Sequence, residues 1–280
     1  MKGFGKENKI KAKNYETRNL SKELIIKKAF KFHSKGNINE AAKYYESFIN
    51  KGFKDQIVFS NYGTILQNLG QLKDAELYIR KALQLNPNYA NAHCNLGNIL
   101  KDMGYLKDAE ISYRKALQLN PKLEIAHSNL GSLLRDLGKL KDAELYIRKA
   151  LQLNPNSALT NFNLGVLLRD LNKLKDAELY TRKALQFNPN LAEAYSNLGS
   201  IFVNLGKLKD AEISYCNALQ SNPNLAVAYF SLSNLKLSNK SKIWLHQLFS
   251  ENLLKNKLEK DKVSIYFARA NILHKELKFK

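Results

Sequence analysis

Residues 124–157 read EIAHSNLGSLLRDLGKLKDAELYIRKALQLNPNS, and that stretch decides the fold. Ala126, Leu130, Leu133 and Leu134 fall on one stripe of a first helix. Leu140, Ala143, Ile147, Ala150 and Leu151 fall on one stripe of a second. Between the two, Gly138 tolerates the left-handed backbone that closes a helix. Asn154 precedes Pro155 and is pushed out of the helical region, so the second helix ends there. Asp142 and Glu144 near its start, with Arg148 and Lys149 near its end, suit the helix dipole. The stretch is a helix-turn-helix pair.

The pair recurs through the chain. Pro87, Pro121, Pro155, Pro189 and Pro223 each lie 34 residues from the next. If each repeat is numbered so that its proline is position 32, position 8 is Gly63, Gly97, Gly131, Gly165 and Gly199. Position 15 is Gly70, Gly104, Gly138, Asn172 and Gly206. Position 20 is Ala75, Ala109, Ala143, Ala177 and Ala211, and position 27 is Ala82, Ala116, Ala150, Ala184 and Ala218. Small residues at 8, 20 and 27 let two antiparallel helices approach closely. A fixed period of this length means stacked supersecondary units rather than one globular core.

This pattern resembles the tetratricopeptide repeat (TPR), whose signature recurs in five consecutive repeats over residues 56–225. The resemblance implies an all-α fold, a right-handed α-α superhelix or solenoid of antiparallel helix pairs. A sixth repeat is recognisable at 22–55 through Ala29, Gly36, Ala41 and Tyr45, with Phe53 in place of the proline. Residues 226–262 read as a degenerate repeat whose second helix covers Ile243–Lys255. Val263–Phe279 reads as the first helix of an incomplete one, with Tyr266 and Ala270 at positions 4 and 8. Its Tyr266, Phe267, Ala270, Ile272, Leu273 and Leu277 form an apolar stripe, expected either to fray or to be buried against another copy of the protein or an absent domain.

Net charge is +20, and the ends are denser in it than the middle. Residues 1–21 carry six Lys/Arg against two Glu, and residues 236–280 carry eleven against four acids. The first of these is a basic tail without apolar periodicity and is expected to be disordered. Interspersed acids make the lysines a solvated surface first and an anion-binding one second. Cys94 and Cys216 sit at different repeat positions more than three repeats apart, so no disulfide framework is expected. The N-terminus has no apolar h-region and no run reaches the length of a membrane span, so a cytoplasmic protein is expected.

Nothing in the chain forms a catalytic constellation. His93 and His127 share position 4 with Tyr195 and Tyr229 and read as packing variants. His33, His246 and His274 have no second histidine at metal-ligand spacing, and no phosphate loop or nucleophile elbow is present. The expectation is no enzyme, no cofactor and no metal, unless the chain is a fragment of a longer transferase.

The repeated polar residues point instead to binding. In TPR stacks positions 2, 5, 6, 9, 12 and 13 of the first helix face the concave groove. Position 6 is Asn61, Asn95, Asn129, Asn163 and Asn197. An amide both donates and accepts, so such a ladder can pair with the backbone of an extended peptide whatever its side chains. It resembles the ladder in the TPR region of the O-linked N-acetylglucosamine transferases. Position 12 adds Lys101, Arg135 and Arg169, each followed by an aspartate: Asp102, Asp136 and Asp170. The dicarboxylate clamp of chaperone adaptors wants lysine at position 5, where this chain has Ser60, Cys94, Ser128, Phe162 and Ser196. That clamp is not expected.

The opening Met1–Asn8 and the blocks Ala228–Ser233, Lys242–Trp244 and Ile265–Lys275 are also similar to the N-terminal half of bacterial TPR proteins carrying a sulfotransferase domain. That family's donor loop, built around Pro-Arg-Ser-Gly-Thr, is absent, so the resemblance implies a shortened member or a fragment. The first expectation is a non-catalytic scaffold that holds a protein or peptide in its groove. The second is the substrate-presenting portion of such a transferase, and the third is nucleic-acid binding through the basic ends.

Overall fold

The computed structural model describes residues 21–235, 243–255 and 257–278. Every regular element among them is a helix. The basic tail up to residue 20 and the segment 236–242 lie outside the described residues. First and second helices alternate: α1 Lys22–Ser34, α2 Ile38–Asn50, α3 Gln56–Asn68, α4 Leu72–Leu85, α5 Ala90–Asp102, α6 Leu106–Leu119 and α7 Glu124–Asp136. There follow α8 Leu140–Leu153, α9 Ala158–Asp170, α10 Leu174–Phe187, α11 Ala192–Asn204 and α12 Leu208–Ser221. The chain then continues through α13 Ala226–Asn234, α14 Ile243–Phe249, a 3-10 turn Glu251–Leu254 and α15 Glu259–Lys278. It divides into two compact units within α7, one ending at Leu133 and the other beginning at Leu134.

In the first unit α1 packs on α2, α3 on α4 and α5 on α6, and each pair leans on the next through α2–α3 and α4–α5 contacts. Its core runs through Ile25, Tyr45, Phe48, Ile65, Ile79, Ile99 and Tyr113, all essentially inaccessible to water. The pairs close tightly at position 8. A Cβ added to Gly97 would lie 2.6 Å from Cε1 of Tyr113, and one on Gly63 would lie 2.8 Å from Cγ1 of Ile79. No side chain fits there unless the facing Ile79 or Tyr113 shifts.

In the second unit α9 pairs with α10 and α11 with α12, with Gly165 against Thr181 and Gly199 against Tyr215. The turn between paired helices is closed by the position-15 residue at positive φ. Asn172 takes φ 58° there, the only non-glycine among the described residues to do so. The asparagine before each proline is extended; at Asn188, for example, φ is −139° and ψ 92°. Its Oδ1 accepts the amide of Asn190, which fixes the link to the next pair.

The end of the second unit departs from the repeat. α13 has 9 residues where the other first helices have 13. The second helix expected over Ile243–Lys255 stops at Phe249 and continues as the 3-10 turn, broken at Ser250, whose hydroxyl accepts the amide of Asn252. α15 starts four residues earlier than expected and packs mainly on α13. It buries Ile265, Ala268 and Ile272, so Ile272 belongs to the packed face. Tyr266, Phe267 and Leu273 lie on the opposite face and are about half exposed.

Candidate functional site

Each position-6 asparagine sits mid-way along a first helix, where the helical turn aims it at the preceding repeat. In the first unit Asn61 donates through Nδ2 to the Tyr45 hydroxyl at 3.2 Å. Asn95 donates to Ser60 Oγ at 3.1 Å, and Asn129 to Asn98 Oδ1 at 2.8 Å with Cys94 Sγ 3.9 Å away. All three are half-buried. Among the described residues no group donates to their Oδ1 atoms, and none of these oxygens is fully buried. The amide nitrogens therefore staple successive repeats while the carbonyl oxygens reach water.

In the second unit Asn163 and Asn197 are buried, 8% and 4% exposed. Asn197 uses both ends of its amide, donating to Thr181 Oγ1 at 2.9 Å and accepting from Arg169 Nη1 at 2.7 Å.

The position-12 cations lie beside these amides and are held. Lys101 donates to Ser132 Oγ at 3.3 Å. Arg135 pairs with Asp136 at 2.7 Å and reaches Asp170 of the next repeat at 3.9 Å. Arg169 pairs with Asp170 at 2.9 Å. Gln67 makes the same inter-repeat reach, donating to Asp102 at 2.7 Å. Positions 12 and 13 thus form a polar rail within each unit, with its charge largely balanced.

Around the first asparagine the electrostatics favour neutral groups. Burial lowers the pKa of His33, which favours the neutral ring, and its Nδ1 shares a hydrogen bond with Tyr45 Oη at 3.0 Å. Burial pushes Tyr45 up to about 12, an effect opposed by the bond from Asn61. Cys94 is likewise pushed up to about 12 by burial, so its thiol stays protonated and unreactive. Among the described residues no group of three or more His, Cys, Asp or Glu is placed to hold a metal ion. No helix among them is long and apolar enough to cross a membrane.

Position 4 has a role that the sequence reading did not see. His93 and His127 donate through Nε2 to the carbonyls of Pro87 and Pro121, both at 2.9 Å. Asn161 and Tyr229 do the same to Pro155 and Pro223, both at 3.0 Å. Each clips its helix to the carbonyl that opens the repeat. The available signal was that histidine, asparagine and tyrosine, all capable of donating, stand six residues after a proline.

TPR family models match residues 63–104, 90–123, 125–157, 158–191 and 192–225, more than half of the chain. The chain belongs to the tetratricopeptide-repeat family. These models describe repeats alone and lend nothing to the narrower likeness to sulfotransferase-bearing proteins. No curated protein matches the chain significantly. Among solved structures, one chain of the APC/C hetero-tetramer Cut9–Hcn1 superposes with TM-score 0.70 at 18% identity, covering 86% of this chain and 48% of that one. A TPR protein from Parabacteroides merdae gives TM-score 0.64 at 19% identity, covering 89% and 98%. PilF of Pseudomonas aeruginosa gives 0.57 at 23% identity, covering 63% and 80%. At these identities the likeness is one of fold.

Proposed function

We propose that this protein is a non-catalytic scaffold that binds an extended polypeptide along its first helices. The observation that carries the reading is the half-used amide of Asn61, Asn95 and Asn129. Each has its N–H group fixed by the previous repeat and its Oδ1 open to water. A row of pre-oriented acceptors at repeat spacing suits the N–H groups of an extended backbone, with little entropy lost on binding. Lys101 lies beside this row. On the second unit Asn163 and Asn197 are buried, so the expected row does not continue through their amides, and the same reading leaves Arg135 and Arg169 as a strip of their own. There the guanidinium N–H groups left over by Asp170 and Asn197 meet ligand carbonyls.

The test is selection of peptides from a random 12-residue display library against the full chain, followed by single N-methylation along the best binder. Methylating an amide that meets an asparagine oxygen should weaken binding about tenfold, the equivalent of one good hydrogen bond. A binder indifferent to N-methylation at every position, or no binder at all, would overturn the reading.

A further inference from the structure

The second unit holds a cleft of about 530 Å³ away from the asparagine row. Its walls are the second helices α10 and α12, with Arg182 and Leu185 on one side and Ser214 and Asn217 on the other. Its floor is Phe202 of α11, with Lys207 at the foot and the acidic residues Glu178 and Asp210 also in the lining.

One repeat earlier, the protein itself shows what occupies such a place. Between α8 and α10, position 23 is Tyr180, and the guanidinium of Arg148 stands 5.9 Å from its ring centre. Lys173 at position 16 bonds Glu144 at 3.1 Å, closing the arrangement. Between α10 and α12 both features are missing. Position 23 is Ser214, whose hydroxyl turns back to the Asp210 carbonyl at 2.8 Å. Arg182, the counterpart of Arg148, stands 5.7 Å from the Phe202 ring, and Lys207 stands at the same distance from that ring. Glu178, the counterpart of Glu144, bonds Arg182 at 2.9 Å, and among the described residues no carboxylate pairs with Lys207. The second gap lacks a phenol ring and lacks the cross-repeat ion pair that Lys173 makes with Glu144.

We propose that the α10–α12 cleft is a seat for a partner polypeptide's aromatic side chain, with an acidic neighbour of that residue pairing with Lys207. A ring there would lie on Phe202 with two cations around it, an arrangement that favours an aromatic over an aliphatic side chain. The free lysine supplies the preference for an acid beside it. This surface lies on second helices and does not depend on peptide binding along the first.

The probe is the blocked peptide acetyl-Gly-Tyr-Glu-Gly-amide, titrated into the full chain and followed by amide NMR shifts. One ring and one ion pair correspond to a Kd of about 1 mM. The expected result is saturable shifts confined to α10, α11 and α12, weakened several-fold when Leu replaces Tyr or Gln replaces Glu. Ser214→Tyr should fill the seat from within and abolish the shifts. Lys207→Gln should remove the preference for Glu and keep the preference for Tyr. Absence of saturation up to about 10 mM, ten times that Kd, would overturn the proposal. So would equal response to the Leu peptide, or a Lys207→Gln protein that still prefers Glu. If Ser214→Tyr does not fold, the lysine variant and the peptide series decide alone. Shifts confined to α3, α5 and α7 would place the probe on the asparagine row and also overturn it.

Discussion

Gly97 has no side chain because Tyr113 stands where one would go. Tyr113 is buried and its hydroxyl is tied to Asn98 Oδ1 at 2.7 Å, so the ring cannot swing aside. Gly97→Ala gains about 1 kcal/mol of helix propensity and loses more to overpacking, for a net cost of about 1–3 kcal/mol in urea unfolding. A neutral result would mean that the helices separate easily. His33 gives a pH test. Its pKa is lowered in the folded state, so below about pH 6.5 the unfolded chain takes up the proton first. Stability should therefore fall as pH drops from 7 to 5, and His33→Asn should flatten part of that slope. The cysteines give a third test. Native protein should take one equivalent of iodoacetamide, at half-buried Cys216, and a second at Cys94 only after denaturation.

At the scale of elements, the position-8 glycines, the position-15 turns and the extended asparagines stand where the 34-residue period put them. Each is a local backbone or steric requirement, so the period alone reveals it. The end of the chain was harder to read, because no proline or glycine marks it. α15 is apolar on two faces, and its stripe through Tyr266, Phe267 and Leu273 was legible while the packed face through Ile265 and Ala268 was not. What docks it is a set of side chains reaching backbone carbonyls. Arg269 donates to Leu248 O at 2.8 Å and Ser250 O at 2.9 Å. Lys275 donates to Ser233 O and Leu235 O, both at 2.7 Å, and so caps the shortened α13. Lys275→Met should cost about 1–2 kcal/mol and speed hydrogen exchange across 259–278 roughly tenfold. Unchanged protection there would show that the cap contributes nothing.

For the whole molecule, an excess of twenty positive charges opposes the compact state. Raising salt from about 0.01 M to 0.15 M shortens the screening length from about 30 Å to 8 Å. It also weakens the exposed Glu–Arg pairs of the second helices, such as Glu110–Arg114 at 2.8 Å, each contributing about 0.3–0.5 kcal/mol. The excess charge outweighs the few pairs, so the melting temperature should rise with salt. A fall would mean that the pairs dominate.

The sequence by itself determined the repeat, the alternation of first and second helices, their turns and the row of position-6 asparagines. Those depend on period, helix propensity and backbone constraints, all of which act over a few residues. Only the tertiary structure decided how the asparagines are used. The bonds Asn95–Ser60 and Asn129–Asn98 join residues 35 and 31 apart, and they exist because packing sets one repeat against the next at a particular rotation. The same packing decided that Tyr180 stands beside Arg148 while Ser214 leaves the following gap open, a difference carried by one side chain's volume between two helices.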